Sequence, residues 1–179
     1  MLDDTEAPRA PLDWIAPIHG ELVLVNRVLA DSYVALEPRE NDANETTIAG
    51  GVLGAIDRGA GTSLVLKDVG DASARSSIVV SEDGTSFFVV THLDGEGGPD
   101  LRVAARDVPD DDYDETDSTF DVGFVGVVLF DGSSSWEMAS ERMLYAFAEV
   151  KKGTYAIAVS EERETEGGKR YRVIRFRKS

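Results

Sequence analysis

The chain contains no cysteine, which excludes a disulfide framework, a thiolate metal site and a thiol nucleophile at once. Histidine is nearly as scarce, and only His19 and His92 could serve as a general base near neutral pH. No apolar run approaches the ~18 residues a membrane helix needs, and the longest, Val122 to Phe130, falls far short. No Gly-x-Ser-x-Gly turn occurs, and Gly132-Ser-Ser-Ser135 reads more simply as a helix cap. Gly59-Ala-Gly61-Thr-Ser lacks the lysine and the glycine spacing of a P-loop, and Gly50-Gly-Val-Leu-Gly54 does not complete a dinucleotide fingerprint. Glu149-Val-Lys151 has the Glu-x-Lys form of some nucleases, but at a predicted helix end instead of a strand. These gaps point away from an enzyme, and no cofactor is expected.

Acid is what the chain has in excess. Its 179 residues carry 34 Asp and Glu against 18 Lys and Arg, a net charge of −16. Of the acids 19 are aspartates, whereas only 5 of the bases are lysines. Such a surface suits molar salt, where carboxylates hold water and repulsion between them is screened to about 3 Å. A salt-loving source is therefore expected. The start, Met1-Leu-Asp-Asp-Thr-Glu6, has neither a basic region nor an apolar run, so the expectation is cytoplasmic synthesis without a secretory signal or a membrane partner.

Residues 1–19 read as an extended, proline-rich arm, because Pro8, Pro11 and Pro17 forbid regular helix or central strand. They also carry Leu12, Trp14, Ile15 and Ile18, so the arm should lie on its own domain or on a neighbouring subunit. Residues 20–179 read as a single β-rich domain. Strands are expected at Glu21 to Leu29 and Ser32 to Glu37 as a hairpin, and at Thr62 to Lys67. A second hairpin, Ser76 to Ser81 with Ser86 to His92, turns at Asp83-Gly84. Asn41 to Thr46 is a polar loop, Ile48 to Gly61 a bulged strand or extended loop, and Leu101 to Ala105 a further strand. Phe120 to Phe130 reads as one buried central strand. Ser134-Ser-Trp-Glu137 fits a capping box, and Trp136, Ala139, Met143, Phe147 and Val150 recur at helical spacing. One principal helix over about 135–152 is predicted, with Lys151 and Lys152 favouring its negative end and Gly153 closing it. The sum is a mainly β (α+β) protein: antiparallel sheets in a sandwich or partial barrel, one principal helix, and the arm.

Asp110, Asp112 and Asp114 alternate like the first ligands of an EF-hand. Glu115 stands where the loop needs glycine and no helices flank it, so an acidic surface loop is expected and these three remain only candidate cation ligands. Asn44-Glu-Thr46 matches a glycosylation sequon, read as accidental.

The charge layout is uneven. Residues 1–150 carry 9 bases and 30 acids, net −21, whereas residues 151–179 carry 9 bases and 4 acids, net +5. The basic stretch is a predicted C-terminal hairpin over 154–177. In its last strand Arg170, Arg172, Ile174 and Phe176 alternate with Tyr171, Val173, Arg175 and Arg177. These cations could meet acidic parts of their own domain, a nucleic acid, or another copy of the chain. At about five phosphate contacts, nucleic-acid affinity would fall by roughly 4.5 decades per tenfold rise in salt, which counts against that partner in brine. Arginine–carboxylate pairs at a partly buried interface survive better. Expected interface residues are therefore Trp14, Ile18, Arg170, Tyr171, Arg172, Arg175, Phe176 and Arg177, with copies of itself and other structural proteins as partners.

The order of strand Phe120 to Phe130, helix Ser134 to Lys152 and strand Thr154 to Ser160 resembles the strand–helix–strand unit of tail-tube and related tail proteins of tailed viruses. The resemblance implies a non-enzymatic structural subunit of a virion, in a tail tube, a connector or beside the capsid, assembled in the cytoplasm of an archaeal host. It also implies arms and hairpins that reach adjacent subunits. A nucleic-acid-binding module using the basic hairpin, or an enzyme without a local motif, are the alternatives.

Overall fold

The computed structural model describes residues 12–18, 20–36, 45–67 and 71–179. His19, most of the loop expected at 41–46, the sequon asparagine and residues 1–11 of the arm lie outside the described residues. The chain is mainly β. In chain order the strands are β1 (Leu22–Asn26), β2 (Thr46–Ala49), β3 (Leu53–Asp57), β4 (Thr62–Leu66), β5 (Arg75–Val80) and β6 (Ser86–His92). They continue as β7 (Tyr113–Val122), β8 (Val127–Asp131), β9 (Tyr145–Ala148), β10 (Gly153–Ser160), β11 (Arg163–Glu164) and β12 (Arg170–Lys178). Helices α1 (Pro99–Arg106) and α2 (Trp136–Glu141) are short.

Two antiparallel sheets face each other. One has the order β2-β3-β4-β1-β8-β9, the other β5-β6-β12-β10-β7 with β11 on β12. Leu22, Leu24, Leu64, Leu129, Phe87, Phe120, Tyr155 and Phe176 fill the space between them. The outer faces are covered too. Helix α1 lays Leu101 and Ala105 on Val79, Val90 and Val173. On the other side Ala30, Tyr33, Trp136 and Ala139 cover Val23, Val25, Val128 and Phe130. Strands buried on both faces read as continuous apolar runs, which is why β1 (LVLVN) and β8 (VVLFD) show no alternation.

The structure corrects five sequence expectations. The helix over 135–152 is only α2; Ser135, not Ser134, caps it by accepting from Met138 N–H at 3.2 Å. Met143 then takes a left-handed φ of 56°, and 145–148 becomes a strand that pairs Val127 with Ala148 and Phe130 with Tyr145. Backbone pairing to β8 outcompetes a continued helix, because Ala146 and Ala148 also alternate inward. The strand expected at Leu101 to Ala105 is α1, with Pro99 in its first turn, where the missing N–H costs nothing. The run Phe120 to Phe130 is split between β7 in one sheet and β8 in the other. The expected 21–37 hairpin fails because both edges of β1 are taken by β4 and β8. Residues 27–32 instead form a 3₁₀ turn, and Tyr33 donates its hydroxyl to Gly132 O at 2.9 Å. Finally, the acidic stretch 110–117 is a 3₁₀ turn at 110–112 followed by edge strand β7, not an open loop.

Other expectations hold. The β5–β6 hairpin turns at 81–85 and β4 spans Thr62–Leu66, whereas Ile48 to Gly61, expected as one bulged strand or an extended loop, holds the end of β2, a turn and β3, with the bulge between Thr47 and Ala49. The described part of the arm, 12–18, folds over its own domain. Ile15 and Ser76 exchange backbone hydrogen bonds at 2.8 and 2.9 Å, and Leu12 N–H donates to Tyr145 O at 3.0 Å. This strap therefore ties edge strand β5 of one sheet to edge strand β9 of the other, with Ile15 buried between the sheets. Asp131 anchors it by accepting from Ile18 N–H at 2.6 Å and Gly20 N–H at 3.1 Å. The carbonyls of Ile78 and Val80 accept from Arg102 and Arg106 of α1, so the β5 edge is covered along its length.

Candidate assembly surface

The basic final strand does not project. β12 lies in the middle of its sheet, paired with β10 on one side and β6 on the other. Its even residues face the space between the sheets and its odd residues the outer face, as the alternation predicts. Phe176 is buried, stacked on Phe87 with ring centroids 4.3 Å apart, and Tyr171 is buried under α1. Arg175 is 3% exposed; it bonds Asp110 at 2.9 Å and also Glu115, and lies over the Tyr113 ring at 4.3 Å. Arg177 bonds Asp110 at 2.6 Å and Arg170 bonds Glu162 at 2.6 Å. Burial lowers the pKa of Arg172, which stands half-buried between the sheets. Tyr171, Arg175 and Phe176 are thus corrected from interface to interior: a central strand has no spare surface, and the charges it buries recruit carboxylates from its own chain. Trp14 packs against Gly97 and the cluster under α1, whereas Ile18 is exposed.

Two of the three candidate cation ligands are spoken for as well. Asp110 accepts from Arg175 and Arg177, and Asp112 from Arg163 at 2.7 Å. That pairing raises the Arg163 pKa, first through Asp112 and then through Tyr171. Asp114 lies in strand β7 and lines one pocket with Asp112, Glu161 and Arg163. Among the described residues no three His, Asp or Glu side chains come together in a way that could hold a metal ion. His92 is buried with both ring nitrogens occupied: Nδ1 accepts from Gly97 N–H at 2.9 Å, and Nε2 lies 3.1 Å from Asp94.

Two surface features remain open among the described residues. The first is a tip at the crossover between the sheets, residues 123–126, which joins the end of β7 to the start of β8. Asn26 clamps it, donating to Asp121 O at 2.6 Å and accepting from Gly123 N–H at 2.7 Å, while Arg27 N–H donates to Gly126 O at 3.0 Å. Val125 is held at φ 78°, a conformation a β-branched residue adopts only under constraint. The clamped turn displays Phe124 at 68% and Val125 at 58% exposure, with Val28, 54% exposed, on the facing 3₁₀ turn. Lys152 Nζ sits 4.4 Å above the Phe124 ring. Gly153 pairs with Val122, and Tyr155 with Lys178, so Lys151, Lys152 and Lys178 gather at the same end of the sheet. Sequence reading placed Lys151 and Lys152 at a helix end that does not exist, and missed Phe124 by burying it in one long strand. The signal was present: Gly123 and Gly126 bracket Phe124-Val125 three residues apart.

The second feature is a groove of about 510 Å³ on the opposite side from the strap, where β2 and β7 face each other across the gap between the sheets. Ile48, Ala49, Val52 and Val159 form its apolar part, and Asp114, Asp117 and Glu161 its acidic rim. Arg172 reaches it from between the sheets. Thr116 interrupts β7 with a bulge and donates to Ile157 O at 2.8 Å. The bulge and the acidic side chains guard this edge against indiscriminate strand pairing.

Comparison with protein-family models, with curated proteins and with solved structures gives no match. The element order that carried the viral resemblance is also altered, since its strand is two strands and its helix is six residues long. Among the described residues no helix is long and apolar enough to cross a membrane.

Proposed function

We propose that this chain is a non-enzymatic structural subunit of an assembly that forms in concentrated salt, with a virion of an archaeal tailed virus as the assembly favoured and copies of itself and other structural proteins as partners. The observation that carries the reading is the Phe124–Val125 tip. Apolar side chains exposed singly need no explanation, but two adjacent ones on a strained turn held by three hydrogen bonds do. Strain of this kind costs about 1–3 kcal/mol and persists where the surrounding structure enforces it. A rigid aromatic presented this way loses little conformational entropy on contact, which is what an interface anchor requires.

The charge supports the same reading. At net −16, copies repel one another in dilute buffer and approach freely once the Debye length shrinks to about 3 Å. The contact surface moves from the basic hairpin, whose Arg170, Arg175 and Arg177 pair with carboxylates of their own chain, to the crossover tip. Light scattering in molar KCl tests the function: the protein should grow in mass with concentration, and Phe124→Asp should suppress the growth. A wild-type chain that stays monomeric at high concentration overturns the reading.

A further inference from the structure

We infer that the Phe124 tip of one copy seats in the groove between β2 and β7 of the next, joining copies head to tail. This rests on the assembly reading and names the occupant of its surface.

Position comes first. The tip leaves β7 at Val122 and enters β8 at Val127, whereas the groove is bounded by Ala49, the start of β7 and Ser160 at the opposite strand ends. Gly153 pairs with Val122 and Ser160 with Tyr113, so the eight residues of β10 separate the two features by about 25 Å. A tip therefore cannot fill its own groove.

Charge then selects the partner. Lys152 and Lys178 at the tip form no ion pair among the described residues, Lys151 beside them is shared with the Asp83 turn, and Asp114, Asp117 and Glu161 at the groove outnumber its one lining cation, Arg172. A two-fold pair joined tip to tip would oppose lysines, and one joined groove to groove would oppose carboxylates. Only tip into groove satisfies both sets, and like-charge juxtaposition is what excludes the others. The apolar part matches as well. Phe124 is the most exposed large apolar side chain among the described residues, and Ile48 and Val52 form a partly covered floor continuous with the core. Contacts between different patches on successive copies generate rings or open helices. The acidic rim disfavours a polyanion in the groove, while a nucleic acid on the tip is a distinct outcome of the test.

Two variants with substitutions at exposed positions decide it: Phe124→Ser with Lys152→Ser, and Asp117→Lys with Glu161→Lys. Sedimentation in molar KCl should show wild-type protein growing with concentration and each variant alone remaining monomeric. Each should lose affinity by on the order of thirtyfold, the size a central aromatic anchor carries. An equimolar mixture should then form dimers and stop, because the first variant keeps an intact groove and the second an intact tip; that dimer also shows that both are folded. A mixture that stays monomeric, or a groove variant that assembles like wild type, overturns the inference and leaves the assembly reading standing. Wild-type protein that never associates overturns both. Wild-type protein that retains a DNA or RNA fragment in molar KCl, lost in the tip variant, overturns the inference in favour of nucleic acid.

Discussion

Arg175 lies over the ring of Tyr113, its guanidinium carbon 4.3 Å from the centroid, and reaches past it to Asp110. The arginine is buried, whereas Asp110 is 70% exposed and Glu115 61%. Truncation would therefore leave two solvated carboxylates, not two buried charges, and the loss is chiefly packing. Arg175→Ala should cost about 2–3 kcal/mol by denaturant titration, and Arg175→Met should recover more than half of it.

Burial pushes the Tyr113 hydroxyl up to about 12, opposed by the charge of Arg175, and that hydroxyl has no hydrogen-bond partner. A phenol whose folded pKa lies above its ordinary 10 contributes stability that is complete below pH 10 and disappears as pH rises to about 12. Tyr113→Phe should therefore be neutral or stabilising by up to about 1 kcal/mol at pH 7. It should also flatten the loss of stability above pH 10 in an alkaline unfolding series.

At the acid end, the backbone N–H of Thr85, with the hydroxyls of Ser81 and Thr85, holds Asp83 down at about 2. Lys169 lowers Asp100 and Arg170 lowers Glu162 in the same sense. Depressed carboxyl pKa values contribute stability above their ordinary values and lose it as pH falls through the folded ones. Stability should hold at pH 5 and decline from about pH 4 towards 2, with Asp83→Asn removing part of the slope.

Gly97 has φ 91°, and a side chain there would run into the Trp14 ring. Gly97→Val should dislodge Trp14, release the strap from β5 and β9, and lower stability by about 2–4 kcal/mol. Limited proteolysis should then cut between residues 12 and 20 before any other site; unchanged cleavage would count against the strap as a closure.

Val125→Asn should relieve part of the strain at φ 78°, because asparagine tolerates the left-handed region. The melting temperature should stay level or rise by a few degrees, while self-association weakens. Opposite signs in those two measurements separate a functional residue from a structural one.

Legibility followed burial. The β5–β6 hairpin and the β10–β12 pair were readable, since turn residues and alternation mark strands independently of what surrounds them. Phe120 to Phe130 was not, because a run buried on both faces looks the same whether it stays in one sheet or crosses to another. Val127 to Asp131 needed β9 as a neighbour, and that demand, invisible in the 136–150 spacing, ended α2 early. The +5 charge of residues 151–179 was legible as an anomaly, but its location was not. Arg175 and Arg177 found carboxylates 60 to 67 residues away on β7 and the turn before it, a pairing only the sheet order creates.

The central place of β12 also dictates when folding can finish. Until residues 170–178 emerge, β6 and β10 each present a bare hydrogen-bonding margin, and the β5–β6 hairpin and the β7–β10 pair of that layer have nothing to join them. A nascent or prematurely terminated chain would hold Phe87, Phe120 and Tyr155 open to solvent beside those margins. Closure is thus a late, all-or-none event of high contact order, and translation errors upstream of Arg170 should yield aggregates instead of partly working protein.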